Sequence, residues 1–107
     1  MIVVTTPHVT GSTIVEMMGM VRGSSIRTRH VGRDVMAILR NLAGGEIPEY
    51  TKMLAEAREQ AVDRMVEEAQ ILKADGIVSV RFQTSMVMSG AAEMLAYGTA
   101  VRLTPDP

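Results

Sequence analysis

The sequence predicts an α+β domain in two layers, an antiparallel sheet packed against one long helix and one short helix. Residues 50–74 form a stretch of about 25 residues without Gly or Pro, and strong helix formers dominate it. In the segments predicted as strands, apolar and polar residues alternate or β-branched residues are frequent, and residues 33–42 have helical spacing. The predicted order is therefore β, β, short α, long α, β, β. No linker or repeat divides the 107 residues, so we expect one domain over residues 1–107.

The long helix is the best-marked element of the chain. Pro48 suits a first helical turn, and Gly76 is predicted to end the helix. Its apolar residues step by three or four and form one stripe: Leu54, Ala57, Ala61, Met65, Ala69 and Leu72. At ~1.5 Å per residue the helix would be roughly 38 Å long, so we expect it to span a domain whose radius of gyration is about 13 Å. The small alanines predict that another layer approaches closely.

The strands precede and follow the helices. Residues 2–5 predict a short strand, and residues 14–29 an extended segment in which Gly19 and Gly23 indicate a bulge, a bend or a close backbone contact. Residues 33–42 predict the short helix. Residues 76–88 alternate, a Ser89-Gly90 turn follows, and residues 93–103 form the return strand. The apolar face predicted for residues 76–88 carries Val78, Val80, Phe82, Met86 and Met88.

The return strand predicts an interface. It has no charged residue from 94 to 101, and one of its faces is small: Ala96, Gly98 and Ala100. A single helical layer covers one sheet face, so we expect this small face to be exposed and apolar, a common mark of an interface. The sequence therefore predicts a homo-oligomer. The alternative is that the amino-terminal strands cover this face themselves.

Composition excludes several classes of function. The formal net charge of −1 gives no electrostatic case for binding nucleic acid or an anionic membrane. The absence of Cys excludes disulfides, thiolate catalysis and Cys-based metal sites, and it fits a reducing compartment. The amino terminus lacks the basic start of a signal peptide, and no run approaches a transmembrane span. We expect a cytoplasmic protein with neither nucleic-acid nor membrane partners.

Several motifs together resemble the YbjQ-like family of small prokaryotic proteins. They are Gly19-Met-Val-Arg-Gly23, Arg33-Asp34, Gly44-Gly45-Glu46, Tyr50-Thr51, Ala57-Arg58 with Ala61, residues 69–80, and Tyr97-Gly98-Thr99-Ala100-Val101. The resemblance implies a dodecin-like β-α-β-β subunit with extra short strands, assembled as a pentamer. The family carries a heavy-metal-binding label and has no established reaction. This chain departs from that label in lacking Cys, the usual soft-metal ligand.

Metal ligands are sparse in this sequence. His8 and His30 are its two histidines, Glu16 and Glu93 are the carboxylates considered with them, and no HxH or HxxxH pair occurs. One residue per subunit can form a ring in a pentamer, so a metal ion could be held on the symmetry axis. The spacing favours the alternative, that both histidines are ordinary loop residues.

The methionines offer a second metal hypothesis. Met17, Met18 and Met20 are close together, Met86 and Met88 share a predicted strand face, and thioethers bind soft ions. All of them fall in apolar patterns, where Met usually fills a core. The pattern favours core packing.

A polar cluster is expected at the start of the long helix. Arg58 lies near the edge of the buried stripe and could reach a carboxylate such as Asp34 or Glu46 across a subunit boundary. Tyr50 could join this cluster; the alternative is that Arg58 is a solvated surface residue.

The sequence contains no nucleophile–base motif for catalysis. We therefore expect a non-enzymatic oligomeric binding or scaffold protein with a metal ion or small ligand at a subunit interface. The alternatives are a small-molecule carrier of dodecin type, and an enzyme with an inter-subunit site around Arg58, Glu46 and Tyr50. No particular cofactor is indicated beyond a metal ion.

Overall fold

A computed structural model describes residues 1–28, 48–88 and 91–107. The strands are β1 (Ile2–Val3), β2 (Ser12–Thr28), β3 (Gly76–Met88) and β4 (Ala91–Pro105), and the helix α1 runs over Pro48–Ile71. The strands form one sheet in the order β1-β3-β4-β2, and α1 packs on one of its faces. The predicted α+β class is confirmed. The short helix predicted at residues 33–42 and the turn at residues 89–90 lie outside the described residues.

The sheet is mixed. Strand β4 pairs antiparallel with both β2 and β3, whereas β1 pairs parallel with the start of β3. The pair is parallel because the chain, after α1, re-enters the sheet as β3 and runs in the same direction as β1. The pairing of β1 with β3 is extended by a bond from the Val4 N–H to the Ile77 carbonyl, at 3.0 Å.

Helix α1 ends earlier than predicted. The Ala74 N–H donates to the Ala69 carbonyl at 3.1 Å and the Lys73 N–H donates to the Gln70 carbonyl at 2.9 Å. These two bonds close a Schellman turn, with Lys73 in the left-handed conformation at φ 62°. The prediction that the helix reaches residue 74 and ends at Gly76 is therefore wrong, because Lys73 takes the position that glycine usually fills. Gly76 instead opens β3.

The two layers approach as closely as the small residues predicted. A Cβ added at Gly23 of β2 would collide with the backbone of Ala61 and Met65 in α1. The predicted close backbone contact at Gly23 is confirmed. The core between the layers is formed mainly by Val21, Ala57, Ala61, Met65, Ala69, Ile77, Val80, Met94, Ala96 and Ala100.

The small face of β4 lies under the helix. Gly23 pairs with Ala96 and Gly19 pairs with Ala100, and both alanines are fully buried. The expectation that this face is exposed is wrong, because α1 can come this near only over small residues. The face that α1 leaves uncovered carries Leu95, Tyr97, Thr99 and Val101; we call it the open face, together with the residues paired to these in β2 and β3.

A bulge in β3 divides the predicted apolar face. Ser79 has φ 54°, and the register with β4 shifts between Val78 and Arg81. The extra residue turns Val78 toward the open face, opposite Thr99, while Val80 joins the core under α1. The predicted single face over residues 76–88 is therefore broken at Ser79.

The molecule is longer than its helix. Its radius of gyration is 17.6 Å and its extents are 58 × 24 × 15 Å. Strand β2 has 17 residues, which at ~3.3 Å each gives about 56 Å, whereas the 24 residues of α1 give about 36 Å. The sheet, not the helix, sets the length of the subunit.

Candidate functional site

A groove lies at the end of the open face where β2 begins. The segment of residues 7–9 folds back over Val78 and Val101 and borders an open groove with a volume of about 660 Å³. The apolar part of the lining is Pro7, Val9, Ile14, Met17, Val78 and Val101, and its polar part is His8, Ser12, Thr13 and Ser79. The amino-terminal segment thus covers this end of the open face and forms a concave site with it.

Two irregularities in β2 turn its side chains into the groove. The register with β4 shifts between Ile14 and Glu16 and again between Met17 and Gly19, where Gly19 has φ 107°. In a regular strand, residues three apart point to opposite faces. Here Ile14 lies opposite Leu103 and Met17 lies opposite Val101, so both face the groove. The predicted bulge at Gly19 is confirmed.

The groove contains an imidazole and a thioether. His8 is exposed, and its carbonyl accepts a hydrogen bond from Thr6 Oγ1 at 2.7 Å, which holds the turn around Pro7. Met17 is 73% exposed. Imidazole nitrogen and thioether sulfur are both ligands for soft ions such as Cu(I).

The exposure of the methionines corrects the sequence analysis. Met18 packs against the core as predicted, but Met17 is 73% exposed, Met20 62% and Met86 81%. Core packing of these three is therefore wrong. The bulges of β2 turn Met17 and Met20 to the open face. Met86 is exposed for another reason: it lies on β3, and α1 packs on β2 and β4 and hardly contacts β3.

The carboxylates considered as metal ligands lie on different faces of the sheet. Glu16 accepts a bond from Arg102 Nε at 3.1 Å on the face that α1 covers. Glu93 lies opposite Ile26 on the open face. His30 is outside the described residues. Within residues 1–28, 48–88 and 91–107, no three His, Asp or Glu side chains come close enough to hold a metal ion.

The predicted polar cluster is only partly described. Arg58 is exposed and lines a shallow depression of about 530 Å³ with Glu59, Val62, Asp63 and Phe82. Asp34 and Glu46 lie in residues 29–47, outside the described residues, and for Tyr50 only the helical backbone is described. An Arg58 contact across a subunit boundary stays a prediction.

A buried polar cluster between β2 and α1 was not predicted. Gln60 Oε1 accepts from Ser25 Oγ at 2.8 Å and from Arg27 Nη2 at 3.1 Å, and Ser25 is only 1% exposed. The Nε of Arg27 is buried, and no hydrogen-bond partner for it is found among residues 1–28, 48–88 and 91–107. The signal was available, since Ser25 and Arg27 follow Gly23 at strand spacing on the face that meets α1. The cluster fixes the helix against the strand.

Sequence comparisons find relatives that match nearly the whole chain. A family model for YbjQ proteins, described as "Putative heavy-metal-binding", matches residues 1–104. A "UPF0145 protein" of Methanosarcina acetivorans is 56% identical over 103 residues, covering 96% of this chain and 97% of its own length. A "UPF0145 protein" of Thermosipho africanus is 52% identical over 103 residues, covering 96% of this chain and 95% of its own.

A solved structure has the same fold. A protein of unknown function of the DUF74 family from Pediococcus pentosaceus superposes with a TM-score of 0.70 at 18% identity, covering 97% of this chain and 98% of its own. Separately, within the part of the chain that the structure describes, no helix is both long and apolar enough to cross a membrane.

Proposed function

Because this chain belongs to the YbjQ-like family, we propose that it is a non-enzymatic binding protein that takes a soft metal ion in the groove beside β2. The observation that carries the proposal is the presence of the His8 imidazole and the Met17 thioether in one groove. A description as heavy-metal-binding agrees with such donors, since heavy metals are soft ions. The chain has no Cys, so thioether and imidazole are the soft ligands it can offer.

The donor set selects the kind of ion. Hard and borderline divalent ions take several oxygen or nitrogen ligands, and no such group is assembled among the described residues. Cu(I) and its analogue Ag(I) accept sulfur and imidazole in small numbers. Val9, Ile14 and Val101 form an apolar wall on one side of the groove, and a low-polarity surrounding favours the reduced copper state.

The binding protein works as a homo-oligomer in the cytoplasm, in this proposal. The family resemblance implies a pentamer, and the open face supports association because it exposes Met20 and Ile26 around Tyr97. A cytoplasmic location is supported by the absence of Cys. In such an assembly a neighbouring subunit could complete the ion's coordination at the open side of the groove.

A competition titration with a Cu(I) chelator tests the metal site. Wild-type protein, kept anaerobic, is expected to withdraw one Cu(I) per chain from the chelator. Met17→Leu keeps the apolar volume and removes the sulfur, and His8→Ala removes the imidazole; each is expected to weaken binding by at least roughly tenfold, about 1.4 kcal/mol. Met86→Leu is the matched control, since Met86 is equally exposed but lies outside the groove. Failure of the wild type to compete, or an equal loss in the control, contradicts the proposal.

A carrier of small apolar molecules is the second candidate. The groove's volume of about 660 Å³ exceeds what one ion needs, and much of its lining is apolar. An apolar ligand is expected to bind the wild type and Met17→Leu with the same affinity. Binding of a hydrophobic fluorescent probe that survives Met17→Leu, together with no Cu(I) binding in the wild type, would therefore favour the carrier.

A further inference from the structure

The open face carries a row of two cations around an aromatic ring. Tyr97 of β4 pairs with Arg22 of β2 on one side and with Arg81 of β3 on the other. Directly opposed residues of antiparallel strands share a face, so both arginines lie on the same face of the sheet as the ring. Arg81 is held in place, because its Nη1 donates to the carbonyls of Thr5 at 2.9 Å and Val80 at 2.8 Å.

Arg22 has no such support. It is exposed, and among the described residues no hydrogen bond or ion pair to its side chain is seen. Apolar side chains lie on the same face on both sides of it: Met20 is 62% exposed and Ile26 is 59% exposed. The open face thus carries exposed apolar side chains and two arginines near its centre, with one carboxylate, Glu93, opposite Ile26.

The outer side of α1 has the opposite character. Glu56, Glu59, Asp63 and Glu67 are all exposed and recur at intervals of three or four residues, which places them in one stripe. This stripe lies on the side of α1 opposite the buried residues Ala57, Ala61 and Met65, and we call it the acidic stripe. Lys52 lies at its amino-terminal end, and Glu59 and Asp63 border the depression that they share with Phe82 of β3.

We propose that the open face of one subunit binds the acidic stripe of a second copy of this chain. Charge complementarity carries the inference, because arginines and carboxylates lie on opposite sides of a subunit only 15 Å thick and cannot meet within one subunit. The inference rests on the homo-oligomer of the proposed function and specifies how its subunits meet. Such a contact is head-to-tail, and repetition of one rotation closes it into a ring.

The charges and the apolar residues have different tasks in this contact. Exposed ion pairs contribute little to affinity, but like charges placed face to face strongly disfavour the wrong arrangement. Burial of Ile26 and Met20 supplies the affinity. The Arg22–Tyr97–Arg81 row then selects the orientation, since an open face set against another open face would oppose cation to cation.

Charge reversal with a compensating swap tests the contact in the full chain. Arg22→Glu is expected to raise the dissociation constant of the assembly at least tenfold. Size-exclusion chromatography with light scattering, over a range of protein concentrations, measures this constant. Lys73→Glu is the matched control: it makes the same change in net charge in the exposed turn after α1, outside both proposed surfaces, and it is expected to leave the assembly intact. The double variant Glu59→Arg and Asp63→Arg is also expected to dissociate the assembly. Adding Arg22→Glu and Arg81→Glu to this double variant exchanges the charges of the two surfaces and is expected to restore the assembly.

The outcomes separate this inference from the function on which it rests. Assembly that is unchanged by Arg22→Glu, lost equally with Lys73→Glu, or not restored by the swap overturns the head-to-tail contact while the oligomer itself stands. A monomeric wild type at the concentrations of the titration overturns both. Cu(I) titration of the same variants reports on the His8 and Met17 groove independently, because neither Arg22 nor the acidic stripe lines it.

Discussion

Substituting Gly23 by alanine tests the close approach of helix and sheet. An added Cβ would collide with the backbone of Ala61 and Met65, and it would lie 2.8 Å from the Cβ of Arg64. None of these atoms is the end of a flexible side chain, so α1 as a whole must move to make room. Gly23 does not have a positive φ, so alanine brings no backbone strain of its own and the substitution isolates the steric effect.

The expected loss of stability follows from this geometry. Overpacking a well-packed core costs roughly 1–3 kcal/mol, and a clash with backbone belongs at the upper end of that range. Replacing glycine by alanine also lowers the conformational entropy of the unfolded chain, which offsets about 0.4–1 kcal/mol of this loss. We therefore expect Gly23→Ala to lower the free energy of unfolding by about 2 kcal/mol, which for a domain of this size lowers the Tm by roughly 8–10 °C.

Urea and thermal unfolding at one fixed protein concentration measure this loss, since the stability of an oligomer depends on concentration. Gly11→Ala is the control: its φ of +89° brings backbone strain of about 1 kcal/mol, but nothing lies within 4 Å of the added Cβ. A Gly23→Ala protein within about 0.5 kcal/mol of the wild type would refute the close-packed arrangement of α1 on β2.

Two further substitutions test local features. Gln60→Ala removes the acceptor of the buried Ser25 hydroxyl and of the partly buried Arg27 guanidinium, and is expected to lower the free energy of unfolding by about 1–3 kcal/mol. Gln70→Ala, on the exposed part of the same helix, is expected to change it little, and equal effects of the two changes would contradict the polar cluster. Lys73→Gly relieves the strain of a left-handed backbone and is expected to raise the free energy of unfolding by about 1 kcal/mol. Lys73→Ala keeps the strain and is not expected to raise it. Chemical denaturation measures both variants, and a stabilising alanine would show that strain is not the cause.

Features that depend on local periodicity were predicted well. The stripe of α1 from Leu54 to Ala69 and the extended segment that became β2 follow from residue spacing, and Gly23 indicated the close contact that the structure contains. Leu72 was wrongly included in the stripe, because α1 ends at Ile71 and Leu72 is exposed. These predictions succeed because one element's pattern reports which of its sides is buried. The family resemblance pointed to the same fold.

Features that depend on a single backbone reversal were not predicted. Ser79 adopts a left-handed φ of 54°, and no Gly or Asn announces it. That one residue moves Val78 to the open face and leaves Val80 in the core, which an alternating pattern cannot foresee. The side of β4 that faces α1 was also assigned incorrectly, because both of its faces are apolar and only the neighbouring strand decides between them.

The candidate site was the least predictable part. His8 was named, but its groove exists only because the β1–β2 segment folds over β3 and β4, a long-range contact without a sequence signal. Met17 was considered as a soft ligand and assigned to the core instead. The bulges that expose it depend on pairing with β4 rather than on the composition of β2.

Native mass spectrometry of the wild-type protein, loaded with Cu(I) and freed of excess ion, tests the proposed function most directly, since one spectrum gives subunit number and retained ions together. We expect a closed homo-oligomer with one copper ion per subunit. The double variant His8→Ala and Met17→Leu is expected to form the same oligomer without bound copper. A monomer, or a wild-type oligomer that carries no copper after loading, would contradict the proposal of an oligomeric soft-metal-binding protein.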